Sequence, residues 1–328
     1  MGFTARKSFK VMPGVRMTVS KAGVSTSVGT RGARVTRTAS GRVTRTVGLP
    51  GSGISHTKTM SSGASNRPVA PPQPSKPVKP GLMAPKWEKE LHKVITEQKF
   101  DELPRIAGAY PEAAELAATL DGLMAMQAGE DARALEACRW AWATGGDIGE
   151  HPFVRKYIGR TSVRIVVASG VEATVPLGRD ALGLALAELE QAAGNLDEAI
   201  AVVEALDPSA IAAVSLCELY LEAGRYDDVV DLTNGMGNTD DPTALLVAFR
   251  GAALREQGHF VAAREAFKEA LKSKTRDSAI RHKALIERAE TYVAENKVAM
   301  AKKDLERVLA EDASAPGVRE RLAELSSS

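Results

Sequence analysis

Small residues recur at fixed steps in the stretch "ALLVAFRGAALREQGHFVAAREAFKEAL". Gly251, Gly258, Ala263, Phe267 and Ala270 stand at offsets 8, 15, 20, 24 and 27 of a 34-residue frame. That spacing leaves few folds open. Apolar residues at helical period on both sides of a glycine predict two helices joined by a tight turn. Small residues at offsets 8 and 20 let the two helices approach closely, and Gly258 ends the first. The frame recurs. Cys217, Tyr220 and Gly224 occupy offsets 8, 11 and 15, with Gly224 lying 34 residues before Gly258. Ala187, Gly194 and Ala199 repeat it, with Pro208 closing that unit, and so do Gly122, Gly129, Ala134 and Ala141. Further on come Ala289, Tyr292 and Ala301, with Asn296 in place of the turn glycine. Residues 87–115 read as a degenerate first unit. Repeats of this kind bury their apolar faces only by stacking.

This helix–turn–helix pattern resembles the tetratricopeptide repeat. The resemblance implies an all-α solenoid over residues 87–328 whose first helices line a concave groove. One segment breaks the helical run. "VRIVVASGVEATVPL" alternates, is β-branched and turns at Ser169-Gly170, which predicts a β-hairpin over residues 163–175 inserted between helical pairs. Trp87, Trp140 and Trp142 are expected to pack between helices.

The first acid in the chain is Glu88. Residues 1–87 carry 15 Lys and Arg, and the remainder carries 28 bases against all 41 acids. A basic head on an acidic body points to partner binding. Within residues 1–60, "VRMTV" and "RVTRTV" alternate at period 2 between Gly-containing turns, predicting a small all-β meander. "GLPGSGIS" has Gly48 and Gly53 at phosphate-loop spacing, but Ile54 stands where a lysine is needed and no helix pattern follows, so it reads as a turn. The run from "GFTARKSFKVMPGVR" through "SKAGVSTSVG" to "GLPGSGIS" resembles the bacterial domain-of-unknown-function family 4236, over about the first 58 residues. The resemblance implies a fold, a bacterial cytoplasmic setting and no mechanism. Residues 61–86 hold seven prolines among Ser, Gly and Lys and read as a tether.

Catalytic chemistry finds no foothold. The five histidines, His56, His92, His151, His259 and His282, form no metal-ligand spacing, and no Gly-x-Ser-x-Gly elbow occurs. Cys138 and Cys217 lack the spacing of a metal site or a disulfide framework. No cofactor, metal or small-molecule substrate is expected. No apolar run approaches the roughly 20 residues that span a bilayer. The expected function is a non-enzymatic interaction scaffold. In the repeat frame Leu184, Glu188, Val214, Glu218, Glu222, Ala248 and Arg255 fall on the groove side. Residues 181–249 hold 13 acids and one base, Arg225, which suits a basic protein or peptide. The head, tethered by 26 residues, is itself a candidate for that contact. The alternative is an adaptor bound to nucleic acid or anionic membrane through Arg31, Arg34, Arg37, Arg42 and Arg45.

Overall fold

The structure is a computed structural model. It describes residues 79–327 except 160, 169 and 170, together with the backbone of six strands between residues 7 and 59. The chain divides into two compact units, residues 66–207 and residues 1–65 with 208–328.

In residues 66–207 the helical part opens with α1 (Lys86–Glu97) and α2 (Leu103–Ala109), followed by the pair α3 (Ala114–Ala128) and α4 (Asp131–Thr144). α2 is short because Pro111 bounds it: the helix stops at Ala109, ahead of Tyr110 in an extended conformation. A π-turn at Val154–Ile158 leads to the hairpin β7 (Ser162–Ala168) and β8 (Val171–Pro176), in which Val163 pairs with Val175. Alternation does what it should here. Val163, Ile165 and Val167 turn inward, and β7 lies on α5 (Arg179–Ala192), which pairs with α6 (Leu196–Glu204).

Residues 208–328 hold α7 (Ala210–Glu222) with α8 (Tyr226–Thr233), α9 (Asp241–Glu256) with α10 (Phe260–Ala270), α11 (Ser278–Ala294) with α12 (Val298–Glu311), and α13 (Val318–Ser327). Among residues 1–65 the described backbone forms β1 (Lys7–Met12), β2 (Val15–Ser20), β3 (Gly23–Thr30), β4 (Ala33–Arg37), β5 (Val43–Gly48) and β6 (Ser55–Thr59), each antiparallel to the next. The connections at Pro13-Gly14, Ala22, Arg31-Gly32 and Pro50-Gly51, and the tether as far as residue 78, lie outside the described residues.

Every turn residue of the repeat frame is left-handed: Gly129, Gly194, Gly224, Gly258 and, with φ 58°, Asn296. Each is followed by an amide that reaches back five residues to a carbonyl of the first helix. His259 N donates to Leu254 O at 2.8 Å, and Lys297 N donates to Tyr292 O at 2.7 Å. This 6→1 bond satisfies an orphan carbonyl at the helix end and needs positive φ at the residue between. Asn can occupy that position because its short polar side chain tolerates left-handed backbone.

The frame's small residues make the crossings. Ala134, Ala199, Ala263 and Ala301 are fully buried on the second helices. A Cβ on Gly251 would sit 2.8 Å from the ring of Phe267, and one on Gly122 would sit 2.4 Å from Cys138 Sγ. α9 is enclosed along most of its length. Thr243 to Phe249 and Gly251 to Ala253 are buried, since α7, α8, α10 and α11 all pack against it.

Buried carboxylates are pinned by arginines. Arg139 on α4 donates twice to Glu190 on α5, both bonds 2.6 Å, and Asn195 donates to the same carboxylate at 2.8 Å. Arg288 on α11 grips Asp304 on α12 with two 2.7 Å bonds, and Arg133 on α4 meets Asp121 on α3 at 2.5 Å. The Glu190 and Asp304 pairs hold one geometry because the planar guanidinium matches a carboxylate bidentately.

Candidate functional site

The site is built on the first helices of three successive pairs, α7, α9 and α11. α9 packs against both α7 and α11. At the end of α9, Arg255 donates through Nη1 to Glu287 Oε2 at 2.9 Å and to the Glu287 carbonyl at 3.0 Å. Its Nε donates to Glu256 at 2.9 Å. One turn earlier on α11, Lys283 Nζ stands 3.6 Å from Glu287 and 3.8 Å from Glu218 on α7. Opposite charges thus run from helix to helix: Glu218, Lys283, Glu287, Arg255, Glu256. Burial opposes the charge of Arg255, but Glu287 and Glu256 more than offset it, so its pKa lies above the usual arginine range.

The groove residues read from the frame fall into two groups. Leu184, Val214 and Ala248 are buried. Glu218 and Arg255 are partly exposed and belong to the charge row; Glu222 on α7 is exposed, and Glu188 on α5 is partly buried. Lys283 and Glu287 join the row without having been read from the sequence. Their signal was there: Glu287 follows Arg255 by 32 residues, close to one repeat, and Lys283 precedes it by four. Of the head arginines, Arg34 and Arg37 lie in β4 and Arg45 in β5, their backbones paired with Thr46, Val43 and Val35 respectively. Arg31 and Arg42 lie outside the described residues.

Both thiols are sealed. Burial, with the Asp121 charge adding to it, pushes Cys138 up to about 12, and burial alone pushes Cys217 up. Of the described histidines, His151 accepts from the Phe153 amide at 3.1 Å and His282 sits 3.2 Å from Glu311, which Arg281 also holds. Among the described residues no group of three potential metal ligands occurs, and no helix is long and apolar enough to cross a membrane. Trp142 packs, with the Arg179 guanidinium 3.9 Å above its ring, and Trp87 packs on Phe153. Trp140, expected between helices, is instead 50% exposed. The neighbouring Cys138 and Ala141 take the inward positions of α4.

Residues 3–57 match the family model described as "Protein of unknown function (DUF4236)". The helical body is similar in fold to the N-terminal domain of the EccA1 ATPase from the ESX-1 secretion system of Mycobacterium tuberculosis. The TM-score is 0.53 at 18% identity, covering 73% of this chain and 88% of that one. Tetratricopeptide repeat proteins are also among the similar structures. One from Thermus thermophilus has a TM-score of 0.43 at 17% identity, over 66% of this chain and all (100%) of that one. One from Parabacteroides merdae has a TM-score of 0.41 at 12% identity, over 74% of this chain and 100% of that one. No curated protein matches the chain.

Proposed function

We propose that this chain is a non-enzymatic protein-interaction scaffold of the bacterial cytoplasm. Its helical pairs hold a basic protein or peptide against the first helices α7, α9 and α11. The observation that carries the reading is the charge row itself. Glu218, Lys283, Glu287 and Arg255 are partly withdrawn from water yet laid out across three consecutive helices, so a partner must match their order as well as their net sign. Electrostatic order of this kind sets register and rejects wrong partners more than it adds raw affinity. Glu222, exposed one turn beyond Glu218, extends the acidic end of the row. A basic segment such as the head would meet the same surface. On a tether of 26 residues its reach is on the order of 25–30 Å, which suffices for an intramolecular contact that an outside partner displaces.

The test is affinity capture with residues 79–328 as bait, comparing the parent with Glu218→Lys/Glu222→Lys. Proteins recovered by the parent and lost by the variant are the expected result. Identical recoveries from the two baits would remove the row from the function. Adding isolated residues 1–60 in excess should lower recovery if the head competes for the row.

A further inference from the structure

The two most exposed large apolar side chains among the described residues are neighbours. Leu82 and Met83 are 96% and 97% exposed. They occupy the centre of a β-turn closed by Ala84 N donating to Gly81 O at 3.0 Å. Those positions ordinarily go to small or polar residues. The turn is also fastened to the folded body. Lys89 on α1 donates to the Leu82 carbonyl at 2.6 Å, and Pro85 immediately precedes the helix. The apolar pair is therefore presented in one orientation, and little ordering entropy is left to lose on binding.

The surroundings are cationic. Lys86, Lys89 and Lys93 follow at helical spacing along one stripe of α1 and are exposed, opposite the face that buries Leu91 and Val94. The Lys89 bond puts the Leu-Met turn at the head of that stripe. Lys79, also exposed, lies on the other side of the turn. The nearby acids cancel this charge only in part, because each is engaged mainly by another group. Glu88 is buried and bound by Lys156 at 3.1 Å. Glu90 is held by Tyr110 at 2.9 Å and Arg105 at 3.0 Å, with Lys86 at 3.7 Å, and Glu97 is paired with Lys99 at 2.7 Å.

We propose that the Gly81–Ala84 turn and the lysine stripe of α1 form a contact for an anionic lipid surface. Leu82 and Met83 enter the acyl boundary, and Lys79, Lys86, Lys89 and Lys93 lie over the headgroups. Charge decides against a protein groove. A groove needs complementary walls around two side chains, whereas a bilayer offers a planar negative surface that four spread ammonium groups match. Two weak signals, one apolar and one cationic, together make reversible interfacial binding. The scaffold reading of α7, α9 and α11 is independent of this contact.

The test is co-sedimentation of the full chain with phosphatidylcholine vesicles, with and without phosphatidylglycerol. The parent should bind only the anionic vesicles. Leu82→Ser/Met83→Ser keeps every basic residue of the chain, including those of the head. It should lose roughly tenfold or more in partitioning, as expected for withdrawing two exposed apolar side chains. Circular dichroism should match the parent. A Leu82→Trp variant should gain blue-shifted emission on phosphatidylglycerol vesicles beyond any change in the parent. No binding by the parent, equal binding by the serine variant, or no added shift from the tryptophan would overturn the proposal and leave a protein groove as the turn's occupant.

Discussion

Arg250, on α9, donates through Nη1 to the carbonyl of Thr233, the last residue of α8, at 2.8 Å. Both its Nη atoms also reach the Met236 carbonyl at 3.3 Å. The Thr233 carbonyl also accepts from Met236 N at 3.0 Å, so α8 ends on its own turn and on a side chain from the next pair together. Burial pushes the Arg250 pKa down, with Glu269 opposing, yet the group stays charged at neutral pH. Arg250→Met keeps the stem and removes the donors. The expected loss is about 1–3 kcal/mol, the cost of taking charged donors away from the Thr233 and Met236 carbonyls. Urea denaturation of the two proteins measures it, and a midpoint unchanged from the parent rules out this cap.

Gly251 and Gly258 are both required, for different reasons. Gly251→Ala drives a methyl into the Phe267 ring and should cost about 1–3 kcal/mol through overpacking. Gly258→Ala meets nothing within 4 Å, but its φ of 79° should cost about 1–2 kcal/mol. Phe267→Leu makes room and should rescue the first variant, leaving the second as it was. Equal rescue of both would contradict the distinction. By the same logic Asn296→Gly, at φ 58°, should raise stability by up to about 1 kcal/mol.

Acid should weaken the body through Glu190. Arg139, and after it Asn195, hold this carboxyl below the usual carboxylate range. A depressed carboxyl stabilises the fold above its unfolded value, about 4.3, and that contribution is lost as pH falls through the lower folded value. Glu190→Gln should therefore be less stable at neutral pH and show a shallower decline on acidification. Thermal melts across the acid range check the slope, and parallel curves for the two proteins would exclude the pair as a source of acid sensitivity.

The thiols should be inert. Cys138, at about 12, and Cys217, raised by burial, are almost wholly protonated at neutral pH and lie in the core. A thiol-reactive chromophore should label neither until denaturant opens the helices. Labelling on mixing in native buffer would mean that α4 or α7 opens readily.

The helical pairs were legible because their chemistry is local. A residue with φ above zero, a fully buried alanine at the crossing and a glycine facing an aromatic ring each leave a mark at fixed spacing, and Gly258, Ala263 and Gly251 show all three. The hairpin was legible for the same reason, through the alternation Val163, Ile165, Val167. The site was less so. Offsets in one repeat say which way Ala248 points, but whether it meets solvent depends on neighbours, and α9 is enclosed by four helices. The partners of Arg255 lie on another helix, 32 residues on, where no local pattern marks them. The Leu82-Met83 turn reads from sequence as the tail of a proline-rich tether. Only the Lys89 bond to the Leu82 carbonyl makes it part of the folded surface.

α13 has one apolar face and one charged face. It turns Val318 and Leu325 inward, while Arg319, Glu320, Ala323 and Glu324 are exposed. A pair duplicated beyond that helix would find charge where it needs an apolar seat. A pair inserted between α10 and α11 would inherit apolar faces above and below, and with them the roughly thirty-residue step that links Arg264 to Glu295 and Arg255 to Glu287.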